Sequence, residues 1–276
     1  MKREAELRRL LRSREELRDA VGAMKSLSAH HFREARRAVE PAGAYRRGVE
    51  RMLAWAAAGL RGGEGGAGLL VIGAELGLCG SYNAQIVQAA QRRRAALGEG
   101  PTFCVGRRAT RMLGRAGVEV DRAYAGAAGV QGITALLLEL GADMLTTFAE
   151  QSLSRFEILS SRFEGVGHTA PTSVELLPIA PPEADEPRAP RYVGAEAFAE
   201  AAVREYLFIM LYDLILGALA SENGARLAAT QGAERWLDER SDVLRRQLTS
   251  IRRENSTQEV LEIVAGSRGL RARSLE

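Results

Sequence analysis

The stretch "LRDAVGAMKSLSAHHFREARRAVEPAGAY", Leu17 to Tyr45, decides the fold. Its small and apolar residues recur at alternating steps of three and four, the spacing of a helix that packs along a seam against another helix. Followed in both directions the seam reads Leu7, Leu10, Arg14, Leu17, Val21, Met24, Ser28, His31, Ala35, Ala38, Ala42, Tyr45, Val49, Met52 and Ala56. It keeps its register through Pro41, so the proline should bend the helix without ending it. A 3.5-residue repeat implies left-handed supercoiling with a partner. At about 1.5 Å per residue, a helix from Leu7 to Ala58 runs about 80 Å.

The partner lies at the other end of the chain. No proline occurs between about Ala195 and Leu270, and Leu207, Leu211, Leu214, Ala218, Ala225, Ala229, Trp236, Val243, Leu248 and Ile251 keep mostly to steps of three and four. If continuous, this helix approaches about 110 Å. Its middle, "ALASENGARLAATQGA" from Ala218 to Ala233, carries small residues along one stripe, which lets two helix backbones approach closely.

Between these helices the texture changes. The break "GLRGGEGGAG", Gly59 to Gly68, ends the first helix. Strands are expected near Leu69 to Gly73, Thr102 to Val105, Val118 to Val120, Arg155 to Arg162 and Thr172 to Leu177. Helices are expected near Tyr82 to Leu97, Arg107 to Arg115 and Gly132 to Ser152. Alternation of strand and helix implies a small α/β sheet. Five of the eight prolines fall in Pro178 to Pro190, a stiff linker. The expected organisation is a coiled-coil helix over 1–60, a Rossmann-like α/β domain over 68–180, a Pro-rich linker over 181–194 and a coiled-coil helix over 195–276. The fold class is thus α/β, with a long antiparallel coiled coil of the terminal helices added to a small central domain.

Composition narrows the chemistry. The chain has 276 residues, 46% of them apolar, enough for a real core. No secretory signal opens it, and no run of about 18 to 20 apolar residues suits a bilayer span. Two cysteines, Cys79 and Cys104, form no CxxC pair and have no histidine at ligand spacing, so neither a disulfide framework nor a metal site is indicated. The net charge is +3, and Lys2 and Lys25 are the only lysines. The arginines alternate with nearly as many acids and bring no aromatic platform, so a nucleic-acid partner is not expected.

The turn "GLCGSYN", Gly77 to Asn83, fails the phosphate-binding templates, since it has two glycines and no Lys-Ser/Thr pair. Cys79 at such a turn lacks an arranged base, because His30 and His31 belong to the first helix and His168 has no sequence link to it. Glu4 with Glu6 and Glu15 with Glu16 sit among arginines and read as solvated pairs. No catalytic constellation emerges. The C-terminal cations Arg240, Arg245, Arg246, Arg252 and Arg253 are those of a solvated helix face unless a partner is implied.

Three segments, in order, resemble the gamma subunit of the F-type ATP synthase, the central rotor shaft. "LRDAVGAMKSLSAHHFREARRAVEPAGAY" is similar to the family's N-terminal helix, with its Ala-Met-Lys signature at Ala23, Met24 and Lys25. "GLCGSYN" resembles the family's Gly-Leu-Cys-Gly turn and following asparagine, here Gly77, Leu78, Cys79, Gly80 and Asn83. "ASENGARLAA", Ala220 to Ala229, and "STQEVLEIVAGSRGL", Ser256 to Leu270, resemble its Ala-Ser-Glu helix and terminal Thr-Gln-Glu segment. The likeness covers nearly the whole chain.

The resemblance implies a non-catalytic subunit, without cofactor or metal, that turns inside the alpha/beta ring and couples proton or sodium flow to ATP synthesis or hydrolysis. It implies alpha, beta and epsilon subunits and the membrane c-ring as partners, no direct bilayer insertion, and a peripheral place on the cytoplasmic face of the bacterial inner membrane. By the same resemblance, Arg252, Arg253, Thr257, Glu259, Met24 and Lys25 are expected to contact the alpha/beta ring, and Glu75, Gly77, Leu78, Cys79, Gly80 and Asn83 to form the turn at the base of the stalk.

The chain also departs from the pattern. Glu75 and Leu76 replace an Asp-Arg pair, Arg252 and Arg253 replace an Arg-Gln pair, and the tail "RARSLE" is more polar than the usual tip. These are the departures of a divergent or alternative-complex branch. The competing readings are a stand-alone nucleotide-binding α/β enzyme with helical arms, and a coiled-coil scaffold.

Overall fold

The computed structural model describes residues 2–56, 58–165, 168–180 and 192–273, with side chains left aside at Lys2, 163–168 and 265–273. Most of the expected linker 181–194 therefore lies outside the described residues. The elements are α1 (Lys2–Ala56), β1 (Gly65–Ile72), α2 (Tyr82–Leu97), β2 (Thr102–Val105), α3 (Arg107–Arg115), β3 (Arg122–Tyr124), a 3-10 turn (Val130–Gly132), α4 (Ile133–Glu150), β4 (Leu153–Gly165), β5 (His168–Leu177) and α5 (Ala195–Arg273). Two compact units result, one of residues 1–25 with 230–276 and one of 26–229.

In the larger unit the sheet runs β3-β2-β1-β4-β5. The first four strands are parallel, and β5 returns antiparallel on β4. Its central strands are apolar on both faces, as strands covered on both sides must be. Leu70, Ile72, Phe103, Phe156 and Ile158 join a core with α4, the second half of α1 and the first half of α5. Leu69, Val71, Cys104 and Leu159 face the other way, onto Ile86, Ala90, Ala109 and Leu113 of α2 and α3. The expected α/β domain with long terminal helices is the one observed.

The sequence expectations need four corrections. Val118 to Val120 is not a strand. Val118 is buried against the second core and its amide donates to the Leu113 carbonyl, while pairing with β2 begins only at Arg122. Asp121 sets that start, since its carboxylate accepts the Thr102 N–H at 2.7 Å and its own amide donates to the Thr102 carbonyl at 2.8 Å. The glycine-rich break, second, is half strand. A Cβ on Gly68 would lie 2.6 Å from the Phe156 ring, so bare backbone is what lets β1 lie beside β4. Third, α4 with its preceding turn, Val130–Glu150, is long and apolar enough to cross a bilayer by length and composition. Its Ile133, Leu136, Leu137, Leu140, Met144 and Phe148 are buried on the sheet, the position of a core helix.

The fourth correction concerns the seam itself. The seven-residue series Leu7, Arg14, Val21, Ser28, Ala35, Ala42 and Val49 does turn inward, with Ser28, Ala35, Ala42 and Val49 buried. A companion row also stands four residues on: Leu11, Lys25, Phe32, Val39, Arg46 and Leu53 are partly or wholly buried there and Arg18 is exposed. In the expected row three residues on, Met24, His31, Ala38 and Met52 are partly buried and Leu10, Leu17 and Tyr45 are 43%, 55% and 53% exposed. Cations occupy part of the row four residues on and meet acids of α5. Arg18 reaches Asp238 at 2.6 Å, Lys25 pairs with Glu234, and Arg46 reaches Asp213 at 3.2 Å. In the smaller unit α5 keeps the matching repeat at Thr230, Leu237, Ser241, Leu244 and Leu248, all buried. Trp236 and Val243, expected inward, are 52% and 44% exposed. The guanidiniums of Arg14 and Arg240 lie 6.0 and 5.9 Å from the Trp236 ring, cation–π contacts on the surface.

Candidate functional site

In the larger unit, the turn between β1 and α2 carries Glu75, Gly77, Leu78, Cys79, Gly80 and Asn83. The chain leaves β1 at Gly73, where a Cβ would fall 2.3 Å from the Ala109 Cβ and 3.2 Å from the Asn83 Oδ1. Only glycine lets strand, α3 and Asn83 meet so closely. Asn83 is buried, and its Oδ1 accepts the Ala74 N–H at 2.9 Å. Leu78 and Gly80 both have φ of +57°, and a leucine in the left-handed region is uncommon. That backbone turns Leu76 and Leu78 outward, 49% and 51% exposed.

Glu75 braces the turn from the other side. Its carboxylate accepts the Arg107 N–H at 3.0 Å and the Gly126 N–H at 2.8 Å and pairs with the Arg107 guanidinium. Burial works to raise this carboxyl, but the two amides and the guanidinium outweigh it and hold it below its ordinary value. An arginine does meet this acid, then, although the neighbouring residue is Leu76; it comes from α3. Cys79 is 4% exposed, and burial pushes its thiol up from the ordinary value, the opposite of an activated nucleophile. Among the described residues no group of three or more His, Cys, Asp or Glu side chains is placed to hold a metal.

The other expected contact residues lie in the smaller unit. Met24 is partly buried on α1, and Lys25 turns onto Glu234 of α5. Arg252 donates to Glu4 of α1 at 3.1 Å, and Asn255 donates to the same carboxylate at 3.3 Å. Hydrogen bonds from Arg252 and Arg8 hold the Glu4 carboxyl below its ordinary value. Arg253, Thr257 and Glu259 are exposed, and the Thr257 hydroxyl donates back to the Arg253 carbonyl at 2.9 Å.

Since Glu4 meets Arg252 and Asn255, α5 continues past the start of α1. On this continuation Val260, Leu261, Ile263 and Val264 are 58%, 59%, 71% and 42% exposed. Arg253, Thr257 and Glu259 flank these exposed apolar residues.

Sequence reading missed a buried pair of opposite charges. Glu222 and Arg226, 8% and 4% exposed, sit four residues apart on α5. Arg226 donates to the Gly77 carbonyl at 3.0 Å, bringing α5 onto the turn. The available signal was a lone Glu–Arg pair inside the small-residue run from Ala218 to Ala229.

Residues 3–270 match the family model described as ATP synthase. A curated relative named ATP synthase gamma chain, from Pelotomaculum thermopropionicum, is 26% identical over 283 residues, covering 96% of this chain and 98% of its own. Another of that name, from Moorella thermoacetica, is 27% identical with the same coverage. Among solved structures, a chain of the Euglena gracilis mitochondrial ATP synthase superposes with a TM-score of 0.67 at 14% identity, covering 98% of this chain and 95% of its own. A chain of the central stalk and c-ring of the Tetrahymena thermophila mitochondrial enzyme gives 0.57 at 19% identity, covering 78% and 99%. At such identities the structures speak for the fold alone, and it is the family model, spanning nearly the whole chain, that shows the chain to belong to the ATP synthase gamma-chain family.

Proposed function

We propose that this chain is the central stalk of a rotary ATP synthase, turning within a ring of alpha and beta subunits and coupling proton or sodium flow through a membrane c-ring to ATP synthesis or hydrolysis. The observation that carries this reading is family membership over residues 3–270, and the smaller unit supports it with a paired α1–α5 segment from which α5 continues with exposed apolar residues. Segments 1–60 and 195–276 then serve as the shaft, 68–180 as its base and 181–194 as the linker.

A stalk performs no chemistry on the nucleotide. It makes the surrounding catalytic subunits unequal, because a helix pair has a different surface on each side and the subunit it touches changes as it turns. Its contacts must register a position and then release. Charge-assisted hydrogen bonds, worth about 1.5 to 3 kcal/mol each, fit both demands. Arg253, Thr257 and Glu259, exposed beside the apolar tip, are proposed for these contacts. Arg252 joins them by exchanging Glu4 for a ring acceptor. Met24 and Lys25 are proposed to act through α1–α5 pairing, with Lys25 fixed by Glu234. Leu76, Leu78 and Glu75 form the base surface, where an epsilon subunit and the c-ring are the proposed partners. The assembly would lie peripherally on the cytoplasmic face of a bacterial membrane.

The test is co-expression with the alpha and beta chains of the same genome. An ATPase hexamer that purifies with this chain in its centre is the expected result. A hexamer that forms and excludes the chain overturns the reading.

A further inference from the structure

From Ala218 to Gly224 every residue of α5 is buried, yet this stretch and the turn after it carry two full charges, Glu222 and Arg226. Buried charges are tolerated only where partners replace water. Here they do. Arg226 Nη2 lies 2.5 Å from the Glu222 Oε1, and Nη1 lies 3.3 Å from the Asn223 Oδ1. The Nε donates to the Gly77 carbonyl at 3.0 Å and Nη2 reaches the Leu76 carbonyl at 3.4 Å. The Glu75 backbone N–H supports the Glu222 carboxylate, whose pKa burial nevertheless raises.

Two further polar ties flank this pair. The Ser221 hydroxyl lies 2.9 Å from the Ser161 carbonyl of β4, and the Tyr82 hydroxyl of α2 donates to the Ala218 carbonyl at 3.4 Å. Within one short stretch, then, α5 is tied to the β1–α2 turn, to β4 and to α2. Packing among residues as small as Ala218 and Ala220 defines a helix's azimuth less sharply than hydrogen bonds, which are directional and fix both azimuth and height. The forked guanidinium suits the task because one side chain holds the carboxylate and two carbonyls together.

We propose that Glu222 and Arg226 are an indexing key, positioning residues that lock α5 in one azimuth against the β1–α2 turn so that torque passes between α5 and the sheet without slip. This rests on the central-stalk reading. A key of this kind differs from an ordinary fold-stabilising pair in what its loss does: replacing a buried ion pair by apolar residues of similar volume often preserves folding, but it removes the directional tie to Leu76 and Gly77.

The test uses the whole complex in inverted membrane vesicles, with ATP hydrolysis and ion uptake measured together. Two variants are compared, the double substitution Glu222→Met with Arg226→Met, and Arg226→Lys, which keeps the charge pair but lacks the planar fork that spans the carboxylate and both carbonyls. The expected result is assembly and hydrolysis near the native rate, with ions moved per ATP reduced several-fold in the double variant and less in Arg226→Lys. Native ion uptake per ATP in the double variant overturns the proposal, as does failure of both variants to assemble, which makes the pair a folding element only. If the native chain itself fails to join alpha and beta chains, the stalk reading falls before any variant is compared.

Discussion

Lys25 of α1 and Glu234 of α5, 209 residues apart in sequence, meet as an ion pair whose side chains are 33% and 22% exposed. The contact fixes the antiparallel register of the smaller unit, together with Arg18 to Asp238 at 2.6 Å and Arg245 to Glu15 at 2.9 Å. Each such pair, being partly or largely exposed, is worth little by itself, at most about 1 kcal/mol. Lys25→Ala should therefore lower the urea midpoint of the full chain only slightly, and less so at high salt. Lys25→Glu sets two carboxylates against each other and should cost more than Lys25→Ala. Equal midpoints for the two variants would remove the pair from any role in register.

These pairs also explain what was legible in the sequence. The seven-residue spacing from Leu7 to Val49 was readable because small and apolar residues mark it. The row four residues on was not, because Lys25 and Arg46 stand there and both face acids of α5, while the row three residues on mixes the partly buried Met24, Ala38 and Met52 with the exposed Leu10, Leu17 and Tyr45. A long cation bridging to a partner acid reads as surface until the partner is known. The turn from Gly77 to Gly80 was legible from its glycines, but its ties to Arg107, Gly126 and Arg226 join residues 32, 51 and 149 positions apart, and local spacing carries no trace of them.

Asn83 tests how the turn is held. Its Oδ1 is the side-chain acceptor for the buried Ala74 N–H, so Asn83→Ala leaves that donor unpaired at a cost of about 1 to 3 kcal/mol. The expected outcome is lower thermal stability with faster hydrogen exchange at Ala74. Unchanged exchange at that amide would mean the turn is held by Glu75 and Arg226 alone.

Gly73 and Ala109 form a matched pair of small residues. Gly73→Ala brings its new methyl to 2.3 Å from the Ala109 Cβ, and overpacking of this kind costs about 1 to 3 kcal/mol. The Asn83 Oδ1, at 3.2 Å from that methyl, is the lesser crowding. Ala109→Gly in the same chain should therefore restore much of the loss in thermal melts. Additive destabilisation in the double variant would place the clash elsewhere.

Cys104 gives a pH dependence with a definite sign. Burial raises its thiol from the ordinary 9.0 to about 11. In this window the unfolded chain has released the proton and the folded chain still holds it, so stability present below pH 9 is lost as the pH climbs to about 11. Two pH units correspond to about 2 to 3 kcal/mol. Cys104→Ala removes this slope, so its urea midpoint should fall less than that of the native chain between pH 9 and 11. Parallel midpoint curves would show that the thiol does not ionise on unfolding.

Ser241 offers the opposite case, a substitution expected to stabilise. It is 2% exposed on the inward row of α5, and its hydroxyl has no hydrogen-bond partner among the described residues. An unpaired buried hydroxyl costs about 1 to 3 kcal/mol, against which Ser241→Ala sacrifices only the contacts of one small oxygen. Alanine also has the higher helix propensity. Ser241→Ala should therefore raise the melting temperature of the full chain by a few degrees, whereas Ser241→Val, larger at a close helix contact, should lower it. Destabilisation by alanine as well would show that the hydroxyl is bonded after all, through water between the helices, and that this stretch of the pair is held by a polar bridge rather than by close packing.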